Sequence, residues 1–230
     1  MIRALMIVIC MLWSLGLSAQ TPQQLRDSLS ALNREIALST TYSVDLHLRK
    51  AAINVQLQQW DYAIDEYSEI LSKEEGNITA LFFRAYVYNN VRRYADAESD
   101  YRKVLIRAPR NLEARIGLTE TYIRQGKKTE AWDELNIMTK LFPDSASVYV
   151  MRASYEHKEG MYDQAIYDWD KALEKDCDNA DYMLSKAVTM ISANRKREAL
   201  VILRRLETMG VSRQTLHEWI EKCKRLPVLS

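Results

Sequence analysis

Five alanines, Ala63, Ala97, Ala131, Ala165 and Ala199, stand 34 residues apart with no slippage. A chain that keeps such a register without one insertion is built from a single structural unit stacked on copies of itself. Other positions keep the same register. Trp60, Tyr94 and Tyr162 share a column, as do Tyr67, Tyr101, Leu135, Trp169 and Leu203. Ala51, Ala85, Thr119, Ala153 and Ala187 form a second column of small residues, and Pro109 and Pro143 share a third. The unit is read most easily over residues 78–111. Leu81, Ala85 and Tyr88 recur at helical spacing, and so do Ala97, Tyr101 and Val104. Arg92 and Arg93 lie between these two amphipathic helices, and Pro109 blocks extension of the second. Neither helix buries its apolar stripe alone. The small residues mark where the two helices cross, since a larger side chain there would push them apart.

A 34-residue period with small residues at two fixed points and aromatics around them resembles the tetratricopeptide repeat, over roughly residues 44–213. The resemblance implies an all-α fold, a right-handed α-solenoid of tandem helix-turn-helix hairpins. Five hairpins are expected at 44–77, 78–111, 112–145, 146–179 and 180–213. Gly126 and Gly160 fall in the turns of the third and fourth. The fifth is the most degenerate and ends on Gly210. Ahead of them, residues 20–43 carry a helix that Thr21 caps, with Pro22 in its first turn and Gln24 completing a capping box. Its stripe of Leu25, Leu29, Leu32 and Ile36 suits the remnant of a decayed repeat covering the first hairpin. At the other end, residues 214–230 hold a last helix and a tail. Leu216, Trp219, Ile220 and Cys223 on one side of that helix seal the final apolar face.

Residues 1–19 read as a targeting segment: Arg3, an apolar run from Ala4 to Leu17, then Gly16, Ser18 and Ala19 at its end. The run is short for a membrane span. Cleavage before Gln20 and export are expected, with retention as an uncleaved anchor the alternative. Cys10 lies inside the apolar run rather than at its end, which argues against lipidation. A leader ending in Ala-Gln looks like those of Bacteroidetes-type bacteria, and implies a periplasmic or extracellular place.

The whole chain carries 32 basic and 31 acidic residues; without the segment containing Arg3 it is neutral. No strong overall field steers it to nucleic acid or anionic lipid, and the mature chain has no membrane span. Charge is patchy, acidic from Asp61 to Glu75 and basic around Arg195 to Arg205 and Lys222 to Arg225. Each patch is either a solvated face or a docking surface.

No catalytic constellation emerges. His47, His157 and His217 lie in distant repeats without a partner at metal-ligand spacing. There is no Gly-rich phosphate loop and no serine elbow. Carboxylates sit where solvated helix faces are expected, and the scattered methionines suit core filling. The chain therefore reads as neither an enzyme nor the holder of a cofactor or metal. Cys177 ends the fourth hairpin and Cys223 lies late in the last helix, a whole hairpin away, so two free thiols are expected.

In the family resembled, first helices of successive hairpins line a concave groove that holds an extended peptide or a partner helix. The groove columns here hold Leu48, Phe82, Ile116, Val150 and Leu184, then Ala52, Tyr86, Glu120, Ser154 and Val188. The neighbouring column, where one subtype uses asparagine to clamp a terminal carboxylate, holds Arg49, Phe83, Gly117, Met151 and Ser185. The basic ladder of that clamp is missing. What remains is an apolar floor with Phe82 and Tyr86 near its middle, flanked by Asn89, Asn90, Glu120 and Arg124 as candidate contacts for a protein or peptide partner. The same aliphatic positions also suit ordinary core packing between hairpins. The expected function is an exported scaffold that binds another protein through its groove. The alternative is a structural subunit of an envelope assembly that uses its edges and end helices.

Overall fold

The computed structural model describes residues 21–225. The segment expected to be a cleaved leader, and the tail after Arg225, lie outside the described residues. Among these residues are twelve helices and no strand. In order they are α1 (Pro22–Leu38), α2 (Val44–Gln56), α3 (Trp60–Lys73), α4 (Ile78–Asn90), α5 (Tyr94–Arg107) and α6 (Leu112–Gln125). Then come α7 (Lys128–Leu141), α8 (Ala146–Lys158), α9 (Tyr162–Lys175), α10 (Ala180–Ser192), α11 (Lys196–Thr208) and α12 (Arg213–Arg225). The helices form the hairpin array of a tetratricopeptide-type solenoid. They divide into two compact units, one ending at Lys128 and one starting at Thr129, so the division falls at the first residue of α7.

In the first unit each helix packs on the next from α1 to α6, and α4 also touches α6. In the second unit the same succession runs from α8 to α12, with α10 against α12. Both alanine columns are at the crossings: Ala63, Ala97, Ala131, Ala165 and Ala199 are wholly buried, as are Ala51, Ala85, Thr119, Ala153 and Ala187. Tyr67, Tyr101 and Trp169, between them, fill the rest of each layer. The first and last described helices, α1 and α12, are packed locally. Thr21 and Gln24 form the reciprocal capping box on α1, and Leu25 and Leu32 are buried. Leu216 of α12 is buried in one cluster with Met190, Leu203 and Leu206, and Trp219, Ile220 and Cys223 pack around it.

Two further columns explain how each hairpin starts and turns. Ser43, Asn77, Asn111 and Asn179 cap α2, α4, α6 and α10, each side chain accepting from the amide three residues on. Ser145 holds the same place before α8 but bonds Ser147 instead. At the turns, Gln58, Arg92, Gly126, Gly160 and Asn194 all adopt positive φ, between 56° and 79°. Only two of these five are glycine, so three turns hold a side chain in the strained left-handed region. Cys177 is exposed and Cys223 partly buried, and both are free thiols. Burial pushes the Cys223 thiol up, against the pull of Lys196.

Candidate functional site

The first-helix face of the first unit is built from α2, α4 and α6. Tyr86 projects from the middle of α4, half-buried. Burial is the main cause that raises its phenol pKa; the Asn90 side chain opposes it and the charge of Glu120 on α6 adds to it. Glu120 is itself raised by burial, against the pull of Arg124 one turn on. Tyr86, Asn90, Glu120 and Arg124 thus stand together across the α4–α6 seam. Asn90 and Arg124 are exposed, and the Asn90 amide donates to the Tyr86 carbonyl at 2.8 Å.

The remaining two candidates are placed differently. Phe82 meets Phe83 edge-on at 5.2 Å and Tyr101 at 5.9 Å, so part of its ring belongs to the layer between α4 and α5. Asn89 is 8% exposed. Its amide donates to Thr121 Oγ1 at 2.9 Å and lies 3.4 Å from the Gly117 carbonyl. Rather than standing beside the groove, it ties α4 to α6, because at this position the side chain faces the next hairpin instead of the open face. Gly117 has a role that the clamp pattern hides. A Cβ there would sit 2.4 Å from Tyr101 Cζ, so the glycine is what lets the Tyr101 ring lie across α6.

Several carboxylates expected on solvated faces are buried. Asp100 and Asp168 are at 2% and 1% exposure. Each receives a two-pronged guanidinium from the first helix of its own hairpin. Arg84 binds Asp100 at 2.7 and 3.0 Å, and Arg152 binds Asp168 at 2.5 and 2.9 Å. The same arginines reach back to the preceding second helix, Arg84 to Ser68 and Arg152 to Asn136 and Thr139. Lys50 and Glu66 repeat the pairing in the first hairpin at 2.6 Å. In the third hairpin the cation column holds buried Leu118. The signal was in the sequence, as Lys50, Arg84 and Arg152 on the lattice with Glu66, Asp100 and Asp168 sixteen residues on. Surface statistics for charged residues masked it.

His47 likewise has partners, against the expectation from sequence spacing. Its Nδ1 lies 2.7 Å from Glu66 Oε2 and 3.7 Å from Glu69 Oε2, and the Tyr42 ring stacks on it at 4.5 Å. Ligand atoms of His47, Glu66 and Glu69 fall within 4.8 Å of one another, a spacing that suits a metal ion. Lys50 already neutralises Glu66 from the other side, so a cation's place is partly taken by the chain itself. The helix turn brought His47 to α3, where no linear spacing rule would look.

A family model of the tetratricopeptide repeat matches residues 91–154. Sperm-associated antigen 1 of Rattus norvegicus is 33% identical over 104 residues, 45% of this chain and 12% of that protein. The Mus musculus protein of that name is 33% identical over 113 residues, 49% of this chain and 11% of its own. The chain therefore spans only about an eighth of these relatives. Among solved structures, a tetratricopeptide repeat protein from Parabacteroides merdae superposes with a TM-score of 0.61 at 19% identity, over 88% of this chain and 79% of its own. YrrB, described as a TPR protein with an unusual peptide-binding site, gives 0.62 at 19% identity, over 86% of this chain and all of its own. At such identity these likenesses establish the fold. No described helix is long and apolar enough to cross a membrane.

Proposed function

We propose that the protein is an exported, non-enzymatic scaffold that holds an extended segment or helix of a partner protein on the first-helix face of α4 and α6. The observation that carries this reading is the group at the α4–α6 seam. A half-buried tyrosine offers apolar area and a hydroxyl, and Asn90, Glu120 and Arg124 beside it offer donors and acceptors to a peptide backbone. Tyrosine in this setting is a frequent anchor of binding energy. The arrangement fits a peptide-binding role of the kind named for YrrB. Tyr86→Ala and Asn90→Ala test it. With melting temperatures unchanged, Tyr86→Ala should weaken partner capture by about 2 kcal/mol or more. Binding should depend only modestly on salt, since the face lacks a ladder of cations. Unchanged partner yield from both folded variants would exclude this face.

Export is tested separately by the mass of the recovered protein. A mature N-terminus at or within two residues of Gln20, in an envelope or secreted fraction, is the expected result. Retention of residues 1–19 on protein from the cytoplasm would overturn it.

The second reading, a subunit docked through its edges, draws on exposed apolar side chains of second helices. Tyr167 and Val201, one period apart on α9 and α11, are 59% and 68% exposed. Fixed-stoichiometry co-purification that survives Tyr86→Ala and is lost on Val201→Asp would favour it.

A further inference from the structure

Between α7, α8 and α9, within the second unit, lies an open cavity of about 460 Å³. Its chemistry is clearest beside the same lattice positions in earlier hairpins. In the second and third hairpins the column holds Tyr88 and Tyr122, and each ring receives cations from its own chain; the first hairpin has Asn54 there. Arg84 and Arg93 lie 5.7 and 4.5 Å from the Tyr88 centroid. Arg102 and Lys127 lie 5.9 and 5.7 Å from that of Tyr122. In α8 the column holds Glu156, and the place of Arg93 and Lys127 is taken by Met161. The fourth hairpin has exchanged an aromatic ring and its cation for a carboxylate and a thioether, and both line the cavity.

Glu156 interacts with its acidic neighbour Asp168 and has no cation at hydrogen-bond distance. It is 4% exposed, and its Oε2 has no hydrogen-bond partner. The nearest guanidinium, Arg152, is 3.9 Å from Oε1 and spends its donors on Asp168, Asn136 and Thr139. An unserved buried carboxylate is costly, and such groups are normally matched by a cation. Charge around the cavity is not balanced from within either. Arg152 cancels Asp168 and Arg195 lies 3.5 Å from Asp163, which leaves Glu156 without a close cation of its own. Trp132 from α7 and Tyr167 from α9 supply aromatic walls, the surface over which a cation is stabilised; Lys171 of the chain itself lies 5.6 Å from the Tyr167 centroid, so the Trp132 side is the freer one.

We propose that this cavity is a binding site for one basic side chain of a protein partner, an arginine or lysine whose cationic head meets the Glu156 carboxyl between Trp132 and Tyr167. The partner would supply the cation that Arg93 and Lys127 supply internally to the second and third hairpins. The site uses other helices and other residues than the α4–α6 face, and stands or falls independently of it.

The test is an NMR titration of the full chain, methyl-labelled at methionine, with N-acetylarginine amide as the probe. N-acetylcitrulline amide, of nearly the same shape without the charge, is the control. The arginine probe should shift the Met161 methyl and the Trp132 indole signals to saturation, and citrulline should leave them in place. Glu156→Gln should weaken binding at least tenfold. Affinity should rise several-fold from pH 6 to pH 8 as Glu156, beside Arg152, Asp163 and Asp168, loses its proton. Met161→Arg, which returns the lattice cation, should fill the cavity from within, raise the melting temperature and exclude the probe. No shift with arginine, equal shifts with citrulline, or undiminished binding to Glu156→Gln would overturn the proposal. If Glu156→Gln does not fold, Met161→Arg decides: continued binding at the same site refutes the assignment.

Discussion

Glu156 also sets a pH dependence that can be measured without any ligand. Burial, chiefly, and then the neighbouring Asp168 charge raise its pKa from 4.5 to about 7, against the pull of Arg152. The folded chain therefore holds a proton that the unfolded chain has already released. This contribution to stability is complete below pH 4.5 and is lost as pH rises to about 7. Denaturant titrations should show Glu156→Gln gaining on the parent protein across that interval, by roughly 1–3 kcal/mol at pH 8. A difference flat in pH would show that the carboxyl is not held neutral. Gly117 gives a second test at this scale. Alanine normally gains about 1 kcal/mol over glycine inside a helix. Here the added carbon would meet Tyr101 at 2.4 Å, and overpacking of a filled layer costs about 1–3 kcal/mol. The clash should win, and Gly117→Ala should lower the melting temperature. By the same reasoning Ala97→Leu and Ala165→Leu, at wholly buried crossings, should each destabilise by about 1–3 kcal/mol or more.

Among the elements, the turns are the weakest links. A side chain in the left-handed region costs about 1–2 kcal/mol, and Gln58 and Arg92 occupy positions where Gly126 and Gly160 sit without strain. Gln58→Gly should therefore raise the melting temperature, and calorimetry should show the gain to be about 1 kcal/mol. Arg92→Gly should gain less, since Arg92 sits beside the Arg93 contact with Tyr88. Much of this level was legible in advance. The alanine columns, the capping box of α1 and the apolar stripe of α12 are patterns of period, and period survives in one dimension. The turn column was half legible, because only its two glycines announce themselves. Asn89 was misleading for a physical reason. Its place on α4 follows from the period, but whether its amide meets solvent or Thr121 depends on the depth of the next hairpin. The Arg84–Asp100 and Arg152–Asp168 pairs were hidden for the converse reason: charged residues are mostly exposed, and burial becomes tolerable only once two fixed guanidinium bonds are in place.

For the molecule as a whole, stability is a sum of terms between neighbours. Among the described residues, α1 packs on α2, and α12 on α10 and α11. Hydrogen exchange should run fastest in α1 and α12 and slowest in the interior helices of each unit. Deleting residues 213–230 should uncover Leu203 and Leu206 and bring aggregation, seen as light scattering well below the parent's melting point. The polar ties have a kinetic meaning as well. Asn89 reaches no further than Thr121, 32 residues on, and Arg152 no further than Asn136 and Asp168, 16 residues to either side. No loop much longer than one period has to close before these bonds form, and loop closure is what slows chains whose partners are far apart. A ribosome or a translocation pore delivers a chain in order, one end first. A hairpin released from either has its partners already beside it or next to arrive, so this chain never has to wait for its own far end in order to fold.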